Sequence, residues 1–289
     1  MWARMFPVSV AILGPGLLGG SLALDLSAAG VEDLRLWARR SESLKAAARL
    51  GINARLTDSL DVAVAGAGLV VLATPVGVMP DLAARIASAA AKPAIVTDMG
   101  SVKAMIEEHV APVLRQAGIA FVGAHPMCGS EKKGISAAFP GMFSGAACIL
   151  TPRDGETRDV LAVVEGFWRA LGCRLIGMTP SAHDEAVARI SHLPHLAAAI
   201  LAAVAVGNHP GALALAAGGF RDSTRVAGGP PDMWTEILLE NRQAVLPLLR
   251  QLAAAIGAAA SSLEAADATA LQAILTAGRD ARAPLADTP

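Results

Sequence analysis

Six residues, Gly14-Pro15-Gly16-Leu17-Leu18-Gly19, stand between the apolar run Val8–Leu13 and a helical pattern over Leu17–Ala29. A GxGxxG spacing at a strand-to-helix junction is the fingerprint of a dinucleotide-binding βαβ unit. Gly14 permits the tight turn, Gly16 lets the backbone approach a pyrophosphate, and Gly19 lets helix and strand pack closely. Leu17 and Leu18 open the helix, whose N-terminal amides and partial positive charge face the phosphates. The same rhythm continues. Leu34–Ala38, Leu69–Thr74, Ala94–Asp98, Ile119–Ala124, Ala147–Leu150 and Arg174–Ile176 read as strands, with helical patterns over Ser41–Leu50, Val78–Ala91, Val102–Ala117 and Thr157–Leu171 between them. Apolar runs alternating with helices predict a parallel sheet covered on both faces, an α/β Rossmann-type domain. Thr74 and Pro75, closing the central run, are further candidate cofactor contacts.

The end of the second strand bears on which dinucleotide is bound. An acidic residue there holds the ribose 2′-hydroxyl of NAD. This chain reads Leu36-Trp37-Ala38-Arg39-Arg40-Ser41 instead. Arginine suits a 2′-phosphate through bidentate, charge-assisted bonds, so Arg39, Arg40 and Ser41 point to NADP as the preferred cofactor, with NAD possible. The competing reading makes the two arginines a solvated loop and the protein indifferent between the two.

Beyond Met178 the strands stop. His183–Val206, Met233–Ala260 and Ser261–Ala277 read as helices, and the last dozen residues as a frayed tail. Leu238, Val245, Leu249, Leu252 and Ile256 recur on one face of the second, with Pro247 inside it as a candidate kink. The expected division is therefore residues 1–178, Rossmann, and residues 179–289, all-α. Of the 289 residues 54% are hydrophobic. A helical half this apolar is expected to bury surplus surface against a second copy, as a homodimer. A net charge of −1 with 17% charged residues gives no field that draws nucleic acid or anionic lipid. Aromatics at 3%, with no Tyr, leave no platform for stacking bases. Met1–Leu26 and Val62–Met79 imitate a leader and a membrane span, but glycine and proline interrupt both. Three cysteines, Cys128, Cys148 and Cys173, match neither a disulfide framework nor a metal site, so a reducing, cytoplasmic setting is expected.

Two segments follow strands at the carboxyl edge of the sheet, where open α/β folds bind ligands. They are Asp98-Met99-Gly100-Ser101-Val102-Lys103 and Gly123-Ala124-His125-Pro126-Met127-Cys128-Gly129-Ser130-Glu131. A histidine held at a strand end by a following proline is a suitable general base, titrating in the range needed to take a proton from an alcohol. Ser101 is placed to hydrogen-bond both that histidine and a substrate.

The segments GPGLLGGS, DMGSVK, GAHPMCGSEKKG, ILTP, SHLPH and GGFRDSTRVA occur in this order. Together they resemble the prephenate/arogenate dehydrogenase family over residues 6 to 260, with HPM and SHLPH the most discriminating. The resemblance implies a Rossmann domain followed by a helical dimerisation domain of the 6-phosphogluconate dehydrogenase C-terminal kind. It implies oxidative decarboxylation of a cyclohexadienyl acid on the route to tyrosine. His125 matches the family's catalytic histidine and Ser101 the serine beside it. Glu131 matches an acidic residue near the mouth of the pocket. His183, His192 and His195 match histidines that face or support the site, and Arg225 the arginine that binds a substrate carboxylate. Helix packing or capping competes for His192 and His195, and a surface pair with Asp222 competes for Arg225. Cys128 stands where a small residue is expected, either near the site or as a buried inert thiol. No metal is implied. The chain ends without a regulatory domain of the ACT type, so tyrosine inhibition would act at the active site. Prephenate is favoured over arogenate by the GSEKKG match, with dual specificity the alternative. Two rivals remain. A β-hydroxyacid dehydrogenase needs a lysine in the helical half, where no Lys follows Lys133. A non-catalytic NADP-binding dimer would need no convergence of His125, Ser101 and Arg225.

Overall fold

The computed structural model describes residues 6–207 and 209–285. Strands β1 (Ser9–Leu13), β2 (Asp33–Trp37), β3 (Arg55–Thr57), β4 (Leu69–Leu72), β5 (Ile95–Asp98), β6 (Ala120–Pro126), β7 (Ala147–Thr151) and β8 (Arg174–Gly177) form one sheet in the order β3-β2-β1-β4-β5-β6-β7-β8. The strand order reverses between β1 and β4, and the glycine-rich turn leaves the carboxyl end of β1, at that switch point. All four residues of β4 are buried, which is why that run is apolar without alternation; all four of β5 are buried too, with Thr97 and Asp98 polar at its carboxyl end.

Helices α1 (Leu17–Ala28), α2 (Ser41–Arg49), α3 (Leu60–Val64), α4 (Met79–Ala87), α5 (Ala104–His109), α6 (Ala111–Gln116) and α7 (Arg158–Ala170) cover the sheet. Two apolar cores result, one gathering Ile12, Leu22, Leu26 and Trp168, the other Leu13, Leu72, Met79 and Ile106. Two expectations are corrected here. The sheet is not wholly parallel: β7 runs antiparallel to β6, and β8 is parallel to β7. Val102–Ala117 is two helices, because Pro112 lacks the N–H that a continuous ladder requires. Val62–Met79 holds the end of α3, the buried strand β4 and a loop, in keeping with its interruption by glycine and proline.

The helical half begins with α8 (Pro180–Val187), a π-helical turn (Ala188–His192) and α9 (Leu193–Val206), one run interrupted where Pro194 removes a donor. There follow α10 (Gly218–Thr224), a 3-10 turn (Arg225–Gly228) and α11 (Pro231–Glu240). The expected helix Met233–Ala260 is broken at Asn241, whose side chain is buried and hydrogen-bonded, and α12 (Arg242–Glu264) continues through Pro247. The next helix, α13 (Ala268–Arg282), starts later than expected, at the N-cap Asp267, whose carboxylate accepts the Ala270 N–H at 3.0 Å. The part of the expected frayed tail that is described is helical, the end of α13 and a 3-10 turn over Ala283–Leu285, and residues 286–289, like Met1–Met5 of the leader-like stretch, lie outside the described residues.

The chain divides into two compact units, Met1–Asn241 and Arg242–Pro289. The strands end at Gly177. In the first unit Ile200, Leu201 and Val204 of α9 are exposed; in the second, Ile256, Leu263 and Leu275 are. Pro180–Val206 and Arg242–Glu264 are long and apolar enough to cross a membrane by length and composition alone.

Candidate active site

The glycine motif fits a dinucleotide. Gly14 has φ +110°, and a Cβ there would lie 2.7 Å from the Ala73 carbonyl oxygen. A Cβ on Gly19 would lie 2.0 Å from the Gly14 carbonyl oxygen, so helix and strand touch as the motif requires. A Cβ on Gly16 would meet nothing within 4 Å, which leaves room for phosphate oxygens over the amides that open α1. At the edge of this cradle the buried hydroxyl of Thr74 has no partner among the described residues. Arg39, Arg40 and Ser41 are exposed at the end of β2. Glu236 of α11 accepts the Gly77 N–H, which ties the loop after β4 to the helical half.

His125 lies in β6, opposite Ile149 of β7, and is 8% exposed. Its Nδ1 is 2.8 Å from Nε2 of His183, and Nδ1 of His183 is 2.7 Å from Oδ1 of Asp184. Asp184 also accepts the Lys103 N–H at 2.8 Å and the Ala104 N–H at 2.9 Å. Three donors converge on this side chain, so it is the acceptor and His183 Nδ1 carries a hydrogen. In the tautomer with a single hydrogen on Nδ1, His183 accepts at Nε2, His125 donates from Nδ1, and Nε2 of His125 keeps a free lone pair. The expected bond between Ser101 and His125 is corrected: the ring is held by His183, and Ser101 makes no side-chain hydrogen bond among the described residues. Both nitrogens of His183 are engaged within the protein. Burial first, then His183, Lys103 and His192, hold His125 well below the ordinary histidine range, so it is neutral at neutral pH.

Asp184 is a hub through its main chain too. The Asn241 amide donates to the Asp184 carbonyl at 2.8 Å and to Nδ1 of His192 at 3.0 Å, which places the His192 hydrogen on Nε2. His195 stacks on Trp234, centroids 3.5 Å apart, and its buried Nδ1 has no partner among the described residues. Gly229 has no room for a side chain, since a Cβ would meet Trp234 Nε1 at 2.5 Å and His195 Cε1 at 3.0 Å. Burial pushes His192 from 6.5 down to about 4. Unfolded, the same ring binds a proton near its ordinary value. Stability is therefore full above that value and falls as pH drops towards 4, by about 3 kcal/mol from this residue. Denaturant titrations across that window should show the loss, and His192→Gln should remove this share of the slope.

A cavity of about 750 Å³ is lined by Glu131, Lys132, Lys133 and Phe139 from the loop after β6, and by Gly228–Pro231 at the entry to α11. Arg225 pairs with Glu131 at 3.4 Å across this mouth rather than with Asp222, and its side chain is 63% exposed. Among the described residues no hydrogen bond or ion pair joins Arg225 to His125. Cys128 is half-buried and its thiol is pushed up to about 12 by burial, so it is inert at neutral pH. No group of three or more His, Cys, Asp or Glu that could hold a metal ion occurs among the described residues. Sequence reasoning missed Asp184, Asn241 and Trp234; the adjacency of Asp184 to His183 was the one signal available.

The model of the prephenate dehydrogenase nucleotide-binding domain matches residues 22–177, and that of the prephenate dehydrogenase dimerization domain matches residues 179–277. A cyclohexadienyl dehydrogenase of Zymomonas mobilis is 35% identical over 245 residues, 83% of each chain. A prephenate dehydrogenase of Lactococcus lactis is 32% identical over 280 residues, 94% of this chain and 76% of that one. The crystal structure of A. aeolicus prephenate dehydrogenase, in complex with hydroxyphenyl propionate and NAD+, superposes with a TM-score of 0.83 at 28% identity, covering 96% of this chain and 98% of that one. With both domain models matched in order along its length, this chain belongs to the prephenate dehydrogenase family of NAD(P)-dependent oxidoreductases.

Proposed function

We propose that this chain converts prephenate to 4-hydroxyphenylpyruvate by oxidative decarboxylation, with NADP preferred. The observation that carries the reading is the hydrogen-bonded chain Asp184–His183–His125 at the carboxyl edge of the sheet, which engages Nδ1 of His125 and leaves its Nε2 without a partner among the described residues. Prephenate bears a ring hydroxyl opposite a quaternary carbon that carries a carboxylate. Nε2 of His125 takes the hydroxyl proton as the carbonyl forms, and the resulting electron demand releases the carboxylate as carbon dioxide and makes the ring aromatic. Gly14, Gly16, Leu17, Leu18, Gly19, Thr74 and Pro75 would hold a dinucleotide, the glycines against its pyrophosphate, and its nicotinamide would supply the hydride acceptor. Arg225 binds a substrate carboxylate on leaving Glu131, while His192 and His195 line the far side of the ring and Ser101 meets the hydroxyl. Such positioning lowers a barrier by several kcal/mol.

Prephenate is favoured over arogenate by charge. Lys132 and Lys133 line the cavity, which suits a dianion without an ammonium. Arogenate remains the second reading, because one relative carries the name cyclohexadienyl dehydrogenase. We assign residues 1–178 to cofactor binding and residues 179–289 to substrate binding and homodimerisation. The dimerization-domain match and the exposed leucines and isoleucines support that division. A cytoplasmic location fits the three free cysteines; nothing in the charge pattern favours nucleic acid or a membrane as partner. The test is turnover with two substrates against two cofactors, where prephenate with NADP should give the highest kcat/KM. Arg39→Ala with Arg40→Ala should lower kcat/KM for NADP about 10–100-fold and leave NAD nearly unchanged. Equal losses with both cofactors would return the arginines to a solvated loop.

A further inference from the structure

We propose that Lys103 is a positioning residue for His125, holding both supports of the imidazole from one place in the chain. The proposal rests on the reading of His125 as the base. Lys103 is 1% exposed and its ammonium pairs with Asp98, also fully buried. Asp98 accepts the Gly100 N–H at 2.7 Å on Oδ2 and the Ala124 N–H at 3.0 Å on Oδ1. With Lys103 that makes three donors on one side chain; burial pushes the Lys103 ammonium down and Asp98 beside it holds it up. Ala124 is the residue before His125, so this arm fixes the strand that carries the ring. The second arm is the main chain of Lys103, whose N–H binds Oδ1 of Asp184, the anchor of His183. The side chain thus holds the backbone of the base, and the backbone holds its relay.

A buried ion pair is a costly way to brace a strand, and a neutral pair of similar volume serves stability as well or better. Its cation has a further effect. The charged and titratable groups around the ring are His183 and Asp184 from α8, His192 from the π-helical turn, Asp98 and Lys103 from β5 and its loop, and Cys148 of β7 opposite Pro126. Among these, after burial and His183, Lys103 disfavours the imidazolium. The base requires the neutral ring, so activity is lost as pH falls through the His125 titration.

The experiment compares pH profiles of kcat/KM for wild type, Lys103→Met, the double variant Asp98→Asn with Lys103→Met, and His125→Asn, using prephenate and NADP. The double variant removes both buried charges at nearly constant volume, and Asn keeps an acceptor for the Ala124 N–H. Lys103→Met, which removes the cation alone, should show an acidic limb moved up by about one pH unit, with KM for NADP unchanged; the double variant, which removes the opposing carboxylate as well, should show a smaller upward move. A limb that stays at the wild-type position in whichever of the two binds NADP, whatever happens to kcat, would make Lys103 structural only and overturn the proposal. If instead His125→Asn keeps wild-type turnover, the base reading fails, a result separable from an unmoved limb in a chain whose His125→Asn form is inactive.

Discussion

His125→Asn should lower kcat by about 10²–10⁴-fold while leaving cofactor affinity unchanged, because a well-placed general base contributes that much. Asparagine is the substitution of choice. Its amide nitrogen can donate to Nε2 of His183 as Nδ1 of His125 does at 2.8 Å, so the buried network keeps its bond. What disappears is the lone pair on the opposite side of the ring. Fluorescence or calorimetric titration with reduced cofactor separates the two effects, since the glycine cradle of β1 and α1 is untouched. A variant that turns over normally would remove His125 from the chemistry.

His183→Phe is the second large effect. Phenylalanine fills much of the same buried volume but offers no acceptor. The Nδ1–H of His125 is then stranded, and the ring is driven to the tautomer with its hydrogen on Nε2, where it cannot accept. Losing the group that fixes the tautomer of a catalytic histidine costs about 10⁴ in a serine protease triad. Here, with the ring still held in β6, a kcat loss of about 10²–10³-fold is expected with KM for prephenate little changed. A loss confined to KM would mean that His183 binds substrate rather than holding the base.

What could be read from residues alone follows from how local each signal is. The turn at Gly14–Gly19 is written in six consecutive residues, and its geometry agrees with the sequence reading at each of the three glycines. Arg39-Arg40-Ser41 is likewise local, and the three stand exposed at the end of β2. Strand direction is not local: Ala147–Thr151 is a good strand whichever way it runs, and only its pairing with β6 reveals the reversal. The break at Asn241 was hidden because Leu238 and Val245 keep helical spacing across it; the buried amide that stops the helix answers to Asp184 and His192, more than forty residues earlier. His183 came from family resemblance, and its bond to His125 is a tertiary fact. Lys103 was quoted within a motif and given no role, since a lysine in sequence reads as surface until its burial is known.

The sharpest test is the tautomer of His125 itself, read from the ring-nitrogen NMR signals of the six histidines, with the His125→Asn spectrum assigning the one that matters. At neutral pH the ring should be uncharged, with its hydrogen on Nδ1 and Nε2 bare. A ring protonated on Nε2, or an imidazolium at that pH, would contradict the mechanism at its first step.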